Sequence, residues 1–501
     1  MRALFSELEK RAATDPGAVV VIDADGRHTL DAVLRAADDL AAVLDEVAGQ
    51  RPTLMLQADN TWRTVVGALA VGRLDGTLAL ISRHSTREEF VGAREDIVPD
   101  AVVASPDRFD AWNVGGRSGS GTPVLDGWRL TGEPARASGR WAGGVVIGLT
   151  SGSTGRAKGV VQSEAALRYA AGSTIEAVGL RPGDTVGALV PLSSAAAACF
   201  GLYLPLMLGG QILLSDRWEP AAAVRLMAEH DARWTMCVPT MALQMASAAD
   251  QEGLLTGMTA MTVGGAPMDA GALGRAERRL GTRILRVFGM SECLGHTTSR
   301  PSDPQDERLG TDGTPFPGTT LRAVDELGAP VAVGETGRAQ VRGPSLFLGY
   351  ASAGAVVPPE LTEDGFLPTG DLMEIHANGT VEVKGREKDI IIRGGRNIDI
   401  SEVENAIARH ADVDQVCVVP VPDDVLGERI AVLLVTGRED LDLAELQHHL
   451  AGQGLMKGKW PEYVFRVDAL PQNRVGKISR REAAEIAQRL RNAEIPADGD
   501  R

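Results

Sequence analysis

Short β-branched runs alternate with helical stretches, and that rhythm limits what this chain can fold into. Val19-Val20-Val21-Ile22 precedes residues 30–47, where apolar side chains fall at helical spacing. Thr53-Leu54-Met55-Leu56-Gln57 follows, then a helix over 65–73, then Thr77-Leu78-Ala79-Leu80-Ile81. Asn60, ahead of that helix, reads as its N-cap. Strands joined through helices pair in parallel, and the helices then cover the sheet faces. Glycines and prolines predict an irregular connection over residues 106–141. Beyond it the alternation resumes, with helix 164–178, strand 185–192, helix 197–208 and strand 211–214. Strands 258–263 and 283–288 run into Gly264-Gly265-Ala266-Pro267 and Gly289-Met290-Ser291-Glu292. Ligands of open α/β sheets gather at the carboxyl ends of strands, so these two loops predict one crevice.

Between the two halves of this rhythm lies Leu149-Thr150-Ser151-Gly152-Ser153-Thr154-Gly155-Arg156-Ala157-Lys158-Gly159-Val160, just after the strand-like Gly144-Val145-Val146-Ile147-Gly148. Residues 150–159 hold three glycines, four hydroxyls and one lysine, a composition suited to cradling a polyphosphate. This is not a Walker A loop, because Lys158 follows Ala157 and precedes Gly159 rather than a hydroxyl residue. The dinucleotide pattern GxGxxG is also absent from the loop. Alone, the stretch reads as a phosphate loop or as a solvated Ser/Gly surface loop.

A chain of 501 residues exceeds one ordinary core, so two or more domains are expected. Its net charge of −16 argues against non-specific nucleic-acid binding. Cys199, Cys237, Cys293 and Cys417 show no CxxC spacing, which disfavours a zinc site or a disulfide framework. The first residues, Met1-Arg2-Ala3-Leu4-Phe5-Ser6-Glu7, lack the apolar core of a signal peptide. Residues 185–215 carry no charge, but Pro191, Ser193-Ser194, Pro205 and Gly209-Gly210 interrupt them. They read as strand, pocket loop and core helix rather than as a membrane span.

Past Gly310 the texture turns to short strands and turns, with a hairpin over 373–383. A domain boundary is expected within Gly385-Arg386-Glu387-Lys388-Asp389, dividing the chain into residues 1–386 and 387–501. The second part reads as small α+β: helix 401–409, strands 413–419 and 431–436, helix 443–450, and a frayed tail after 491.

The motifs resemble, in order, those of the adenylate-forming superfamily of acyl-CoA synthetases, adenylation domains and firefly luciferase. The matching stretches are residues 150–159, Gly264 to Pro267, Phe288-Gly289-Met290-Ser291-Glu292, Thr369-Gly370-Asp371, Gly385 to Asp389, Gly394-Gly395-Arg396-Asn397-Ile398 and Gly476-Lys477. The resemblance implies an α/β fold, with a large N-terminal domain of parallel sheets sandwiched by helices and a small mobile α+β C-terminal domain. It implies two half-reactions. A carboxylate attacks the α-phosphate of ATP to give acyl-AMP and pyrophosphate, and a thiol then displaces AMP.

The same resemblance implies residue roles. Thr150, Ser151, Gly152, Ser153, Thr154, Gly155 and Lys158 hold phosphates. Gly264, Gly265, Ala266 and Pro267, with Val287, Phe288, Gly289 and Met290, line the adenine side. Ser291 keeps an oxygen near the α-phosphate, and Glu292 binds Mg²⁺. Asp371 accepts the ribose hydroxyls, Arg386 contacts ribose or phosphate, and Lys388 is the hinge. Lys477 reaches the carboxylate and α-phosphate. Gly394 and Gly395 face the CoA side, near the basic Met456-Lys457-Gly458-Lys459.

The acyl pocket falls to Ser193, Ser194, Cys237 and Val238. Where the family often has an aromatic and a histidine, this chain has Ser193-Ser194. No acid in residues 191–198 could pair with an ammonium, which disfavours an α-amino acid. A small-to-medium or aromatic acid is expected, with CoA as acceptor. Carrier-protein phosphopantetheine and a non-thiol nucleophile are the alternatives, and a non-catalytic nucleotide sensor is a remote one. Cofactors are then ATP, Mg²⁺ and CoA. The protein is expected to be cytoplasmic, without an integral membrane span, and compatible with a homodimer.

Overall fold

The computed structural model describes residues 1–116, 121–132, 139–150, 157–266, 269–423, 425–473 and 476–494. Two nine-stranded sheets, one four-stranded sheet and one five-stranded sheet carry the described fold. In the first, Val19–Asp23, Ile212–Leu214, Val186–Ala188, Trp234–Cys237, Ala260–Gly264 and Ile284–Met290 run parallel. In the second, Ala101–Ala104, Thr53–Ala58, Thr77–Ser82 and Gly144–Thr150 do the same. The central strands are apolar on both faces because both faces are covered; Thr53–Ala58 is buried throughout.

The sheets are mixed rather than purely parallel. Hairpins extend their edges, as Lys158–Ser163 does beside Gly144–Thr150 and Cys293–Thr298 beside Ile284–Met290. The expected irregular connection over 106–141 contains helix Pro106–Ala111 and the hairpin Thr122–Val124 with Trp128–Gly132, which pairs on Ala101–Ala104. Local Gly and Pro hid strands that exist because an open sheet edge was available to pair with.

Two further readings change. The strand expected over 185–192 closes at Ala188, and residues 189–194 leave the sheet as a loop. The helix expected over 197–208 is three consecutive pieces, Ala195–Ala197, a wider π-helical Ala198–Tyr203, and Leu204–Leu208. Among the described residues no helix is long and apolar enough to cross a membrane.

Strands Thr320–Val324, Thr336–Arg342, Leu367–Ile375 and Val381–Arg386 form the third, antiparallel sheet. The expected hairpin over 373–383 is its last pair. The fourth sheet begins at Ile390–Arg393 and ends at Tyr463–Arg466. Strand alternation shapes its two cores. Val418 packs with Val403, Ile407 and Leu446, whereas Cys417, Val419 and Val421 pack with Ala483 and Ala487 of helix Arg480–Glu494. All four cysteines are free and buried.

Candidate active site

Strand Ala260–Gly264 delivers Gly264 to a place where only glycine fits. A Cβ there would stand 2.4 Å from Val287 Cγ1 and 2.5 Å from the Val287 carbonyl oxygen. Gly265 follows with φ +86°, a conformation costly for side-chain-bearing residues. A Cβ on Gly265 would lie 2.9 Å from both Cε and Nζ of Lys477. Lys477, which follows the last strand of the fourth sheet in the chain, thus ends beside the glycine turn of the first.

Three other expected site residues share this neighbourhood. Burial lowers the affinity of Lys477 for its proton, the positive charge of Arg386 adds to that, and Asp371 and Glu292 oppose it. Asp371 and Arg386 are directly opposite on neighbouring strands, Nε to Oδ1 at 3.1 Å. Asp371 is 4% exposed, and burial pushes its carboxyl above the ordinary range against the pull of Arg386. The Thr369 hydroxyl accepts the Asp371 backbone N–H at 3.1 Å. Lys388 lies in the two-residue turn just after Arg386, before Ile390–Arg393 begins.

Glu292 sits between Met290 and the antiparallel strand Cys293–Thr298. Its Oε1 accepts the Tyr350 hydroxyl at 2.8 Å, and no hydrogen bond to Oε2 occurs among the described residues. Lys158 Nζ lies 5.0 Å from the centre of the Tyr350 ring, within cation–π range. Thr150 faces Lys158 across the strand pair, its hydroxyl donating to the Lys158 carbonyl at 3.3 Å. Ser151, Gly152, Ser153, Thr154, Gly155 and Pro267 lie outside the described residues. Tyr350 was missed in the sequence because nothing local marks it. Strand Gly349–Ser352 reaches Lys158–Ser163 only by pairing across the edge of the second sheet.

Phe288 is mostly buried and meets the His296 ring edge-on, centroids 4.8 Å apart. Burial lowers the His296 pKa to about 4, so the imidazole is neutral near pH 7. Ser291 shows its backbone to the core, where Gln162 donates to its carbonyl at 2.7 Å. Arg286, two residues before Phe288, is held by Asp312 through Nε at 3.1 Å and Nη2 at 3.2 Å.

The pocket segment is fastened by a residue given a different task above. Thr61, not Asn60, is the N-cap of helix Trp62–Arg73. The buried Asn60 amide donates to the carbonyls of Ala188 at 2.9 Å and Val190 at 3.2 Å, and its Oδ1 accepts the Leu192 N–H at 2.9 Å. These bonds join the second sheet to the loop that carries Ser193 and Ser194. Ser193 is buried, and Ser194 caps Ala195–Ala197, accepting from the Ala197 N–H at 3.1 Å. That leaves the Ser194 O–H available to donate. Gly148 lets the strand come close here, since a Cβ on it would lie 2.4 Å from the Ala195 nitrogen. Cys237 ends strand Trp234–Cys237, its thiol pushed up to about 12 by burial, and Val238 packs beneath the Lys477 turn.

Gly394 and Gly395 are not part of this crevice. They form the exposed turn between Ile390–Arg393 and Arg396–Asp399, with φ +56° and +80°. Arg393 donates to the Gly458 carbonyl at 3.3 Å, so the glycine turn and the segment Met456 to Lys459 are neighbours. A possible ligand trio elsewhere, His410, Asp412 and Glu445, is occupied by Arg438, whose Nη1 lies 3.1 Å from Asp412 and 2.7 Å from Glu445.

The AMP-binding enzyme family matches residues 8–351, and the AMP-binding enzyme C-terminal domain matches residues 402–477. The chain belongs to the AMP-binding enzyme family. It is thus an adenylate-forming, ATP-using ligase built on the α/β architecture described above. Its relatives include the salicylyl-CoA synthase / salicylate adenylyltransferase of a Streptomyces species, 30% identical over 97% of this chain and 94% of that one. The 2,3-dihydroxybenzoate-AMP ligase of Bacillus subtilis is 30% identical, covering 91% of this chain and 88% of its own. Among solved structures, ATP-bound MatB from Rhodopseudomonas palustris is 26% identical with a TM-score of 0.84, covering 98% of this chain and all of the other (100%).

Proposed function

We propose that this chain activates an aromatic carboxylic acid as its acyl-AMP and passes the acyl group to the thiol of CoA. The observation that carries the first half is Lys477 lying against Gly265, within the electrostatic reach of Glu292, Asp371 and Arg386. A polyanion held there meets three cations, Lys158, Arg386 and Lys477, and one carboxylate pair suited to ribose and metal. Adenylyl transfer needs mainly alignment and charge neutralisation. The acid's carboxylate oxygen bonds to the α-phosphorus while the bond to the pyrophosphate oxygen breaks. Lys477 neutralises charge where the new bond forms, and Lys158 holds the departing pyrophosphate. Binding of the anions favours the protonated form of Lys477 and offsets what burial does to it.

Glu292 fits a magnesium ion, because its Oε2 is left to a hard cation while Tyr350 fixes Oε1. Bound magnesium would supply charge neutralisation to the phosphates. Glu292→Ala is expected to weaken magnesium-dependent turnover by about 10²-fold. Titrating magnesium against the variant checks this, and an unchanged metal dependence would place the ion elsewhere.

The acid class rests on the pocket and on the relatives. The segment held by Asn60 offers two small hydroxyl residues and no carboxylate. Two relatives are named for hydroxybenzoates, and a third, from Streptomyces carzinostaticus, is a 2-hydroxy-7-methoxy-5-methyl-1-naphthoate--CoA ligase, 28% identical over 98% of this chain. An aryl acid with a hydroxyl next to the carboxylate suits the Ser193-Ser194 segment best. After adenylation the C-terminal part, residues 387–501, turns about Lys388 to bring Gly394 and Gly395 to the crevice for the thiol step.

A panel of carboxylic acids tests the whole reading, followed by pyrophosphate release and by mass spectrometry with and without CoA. Pyrophosphate and an aryl-CoA product are expected from 2-hydroxyaryl acids. Pyrophosphate without acyl-CoA would move the acceptor to a carrier-protein thiol or another nucleophile. No pyrophosphate with any acid would leave a nucleotide-binding sensor.

A further inference from the structure

The peptide unit that carries Lys477 is gripped at both of its polar atoms. Its N–H donates to Asn473 Oδ1 at 3.0 Å, within the same turn. Its carbonyl oxygen, that of Gly476, accepts the Thr240 hydroxyl at 2.8 Å across 236 positions of chain. Thr240 lies in the first turn of helix Pro239–Ala248, immediately after the pocket residues Cys237 and Val238. It is 7% exposed.

Among the described residues, the groups nearest Gly476 at the start of this helix are apolar. A Cβ on Gly476 would lie 3.5 Å from Val238 Cγ2 and 3.8 Å from Met241 Sδ. Such contacts hold the turn down without fixing its rotation, because dispersion and burial are not directional. A hydrogen bond to a carbonyl is directional. With both ends of the Gly476–Lys477 peptide fixed, the plane of that peptide is set, and with it the direction in which the Lys477 side chain leaves toward Gly265.

We propose that Thr240 is a positioning residue for acyl-AMP formation: its hydroxyl latches the Gly476–Lys477 peptide so that Lys477 Nζ stands in the crevice. The proposal rests on the reading that Lys477 serves the first half-reaction. Thioester formation takes place with this turn withdrawn, so the latch acts on one half-reaction and not the other.

Thr240→Val keeps the shape and removes the hydroxyl, and Thr240→Ser keeps the hydroxyl. Acyl-AMP formation, read by pyrophosphate release in a single turnover, is expected to fall about five- to tenfold in Thr240→Val. It should recover in Thr240→Ser. Thioester formation from supplied acyl-AMP should keep its rate in both. Trypsin cleavage at Arg386 and Lys388, both already exposed, should quicken severalfold in Thr240→Val with no acid present, because a C-terminal part no longer latched lets its link take the extended form that a protease binds. An unchanged rate of acyl-AMP formation, or an equal fall in both half-reactions, overturns the latch. Should no acid support turnover, unchanged cleavage overturns it. Lys477→Ala in the same assay separates the two ideas: if that variant still makes acyl-AMP, the role of Lys477 itself fails. If it loses acyl-AMP formation while Thr240→Val does not, only the latch fails.

Discussion

Lys477→Ala is expected to lose acyl-AMP formation by about 10²–10³-fold while thioester formation from supplied acyl-AMP keeps its rate. The size follows from the setting. Lys477 is half-buried beside Gly265, and in the proposed reaction its charge is the one that the C-terminal part brings to where the acid's oxygen meets phosphorus. Other cations stand on the N-terminal part, Lys158 beside Tyr350 and Arg386 beside Asp371, and the variant leaves them in place. ATP should therefore still bind. The loss should appear in the rate of acyl-AMP formation more than in the KM for ATP. Lys477→Arg should recover little, since a wider guanidinium replaces a compact ammonium in a tight crevice. Separate assays of the two half-reactions check this, and an equal loss in both would remove Lys477 from its assigned place.

Arg286→Met is expected to destabilise the fold by about 3–5 kcal/mol. Arg286 and Asp312 are buried and paired through two hydrogen bonds. Arg286 also donates to the Leu309 carbonyl at 3.1 Å. Asp312 accepts the Val383 N–H at 2.8 Å, which ties strand Val381–Arg386 of the third sheet to the first. Removing the guanidinium leaves a buried carboxylate without its counter-charge, and the cost is mainly that of the stranded group. The double variant Arg286→Met/Asp312→Leu should be less harmful than Arg286→Met alone. Denaturant unfolding of the three proteins measures the coupling. A single variant within about 1 kcal/mol of the parent would show that the pair does not hold the two sheets together. Because Arg286 lies two residues from Phe288, and Arg386 ends the strand tied to it, the site should loosen along with the fold.

Much of the crevice could be read before the fold was known. Gly264, Gly265, Glu292, Asp371, Arg386 and Lys477 were legible through their resemblance to the motifs of the adenylate-forming superfamily; alone, Asp371 reads as a turn residue and Lys477 as a solvated lysine on a glycine loop. At Gly264 the structure adds a reason for glycine that the motif did not carry, since the space of a Cβ is filled by Val287. The residues that hold these groups in place were not legible. Tyr350 looks like any strand tyrosine, and His296 like any core histidine. Asn60 looked like a helix cap because Asx residues before helices usually are. Its partners, Ala188 and Val190, stand 128 and 130 positions away. Ser194 shows the reverse: read as part of a pocket, it also serves as the cap of a short helix.

The sequence by itself determined the repeating strands and helices, the order of the motifs, and the change of texture past Gly310. Each of these depends on spacing within a few residues, where side-chain periodicity and backbone freedom act directly. Only the tertiary structure decided which strands share a sheet. Val19–Asp23 pairs with Ile212–Leu214, not with Thr53–Ala58, its nearer parallel neighbour in the chain. It also decided that Thr240 meets Gly476 and that Lys477 reaches Gly265. Backbone donors and acceptors are alike at every residue. Their partners are therefore chosen by which surfaces can be buried together, and that choice is made across the whole chain at once.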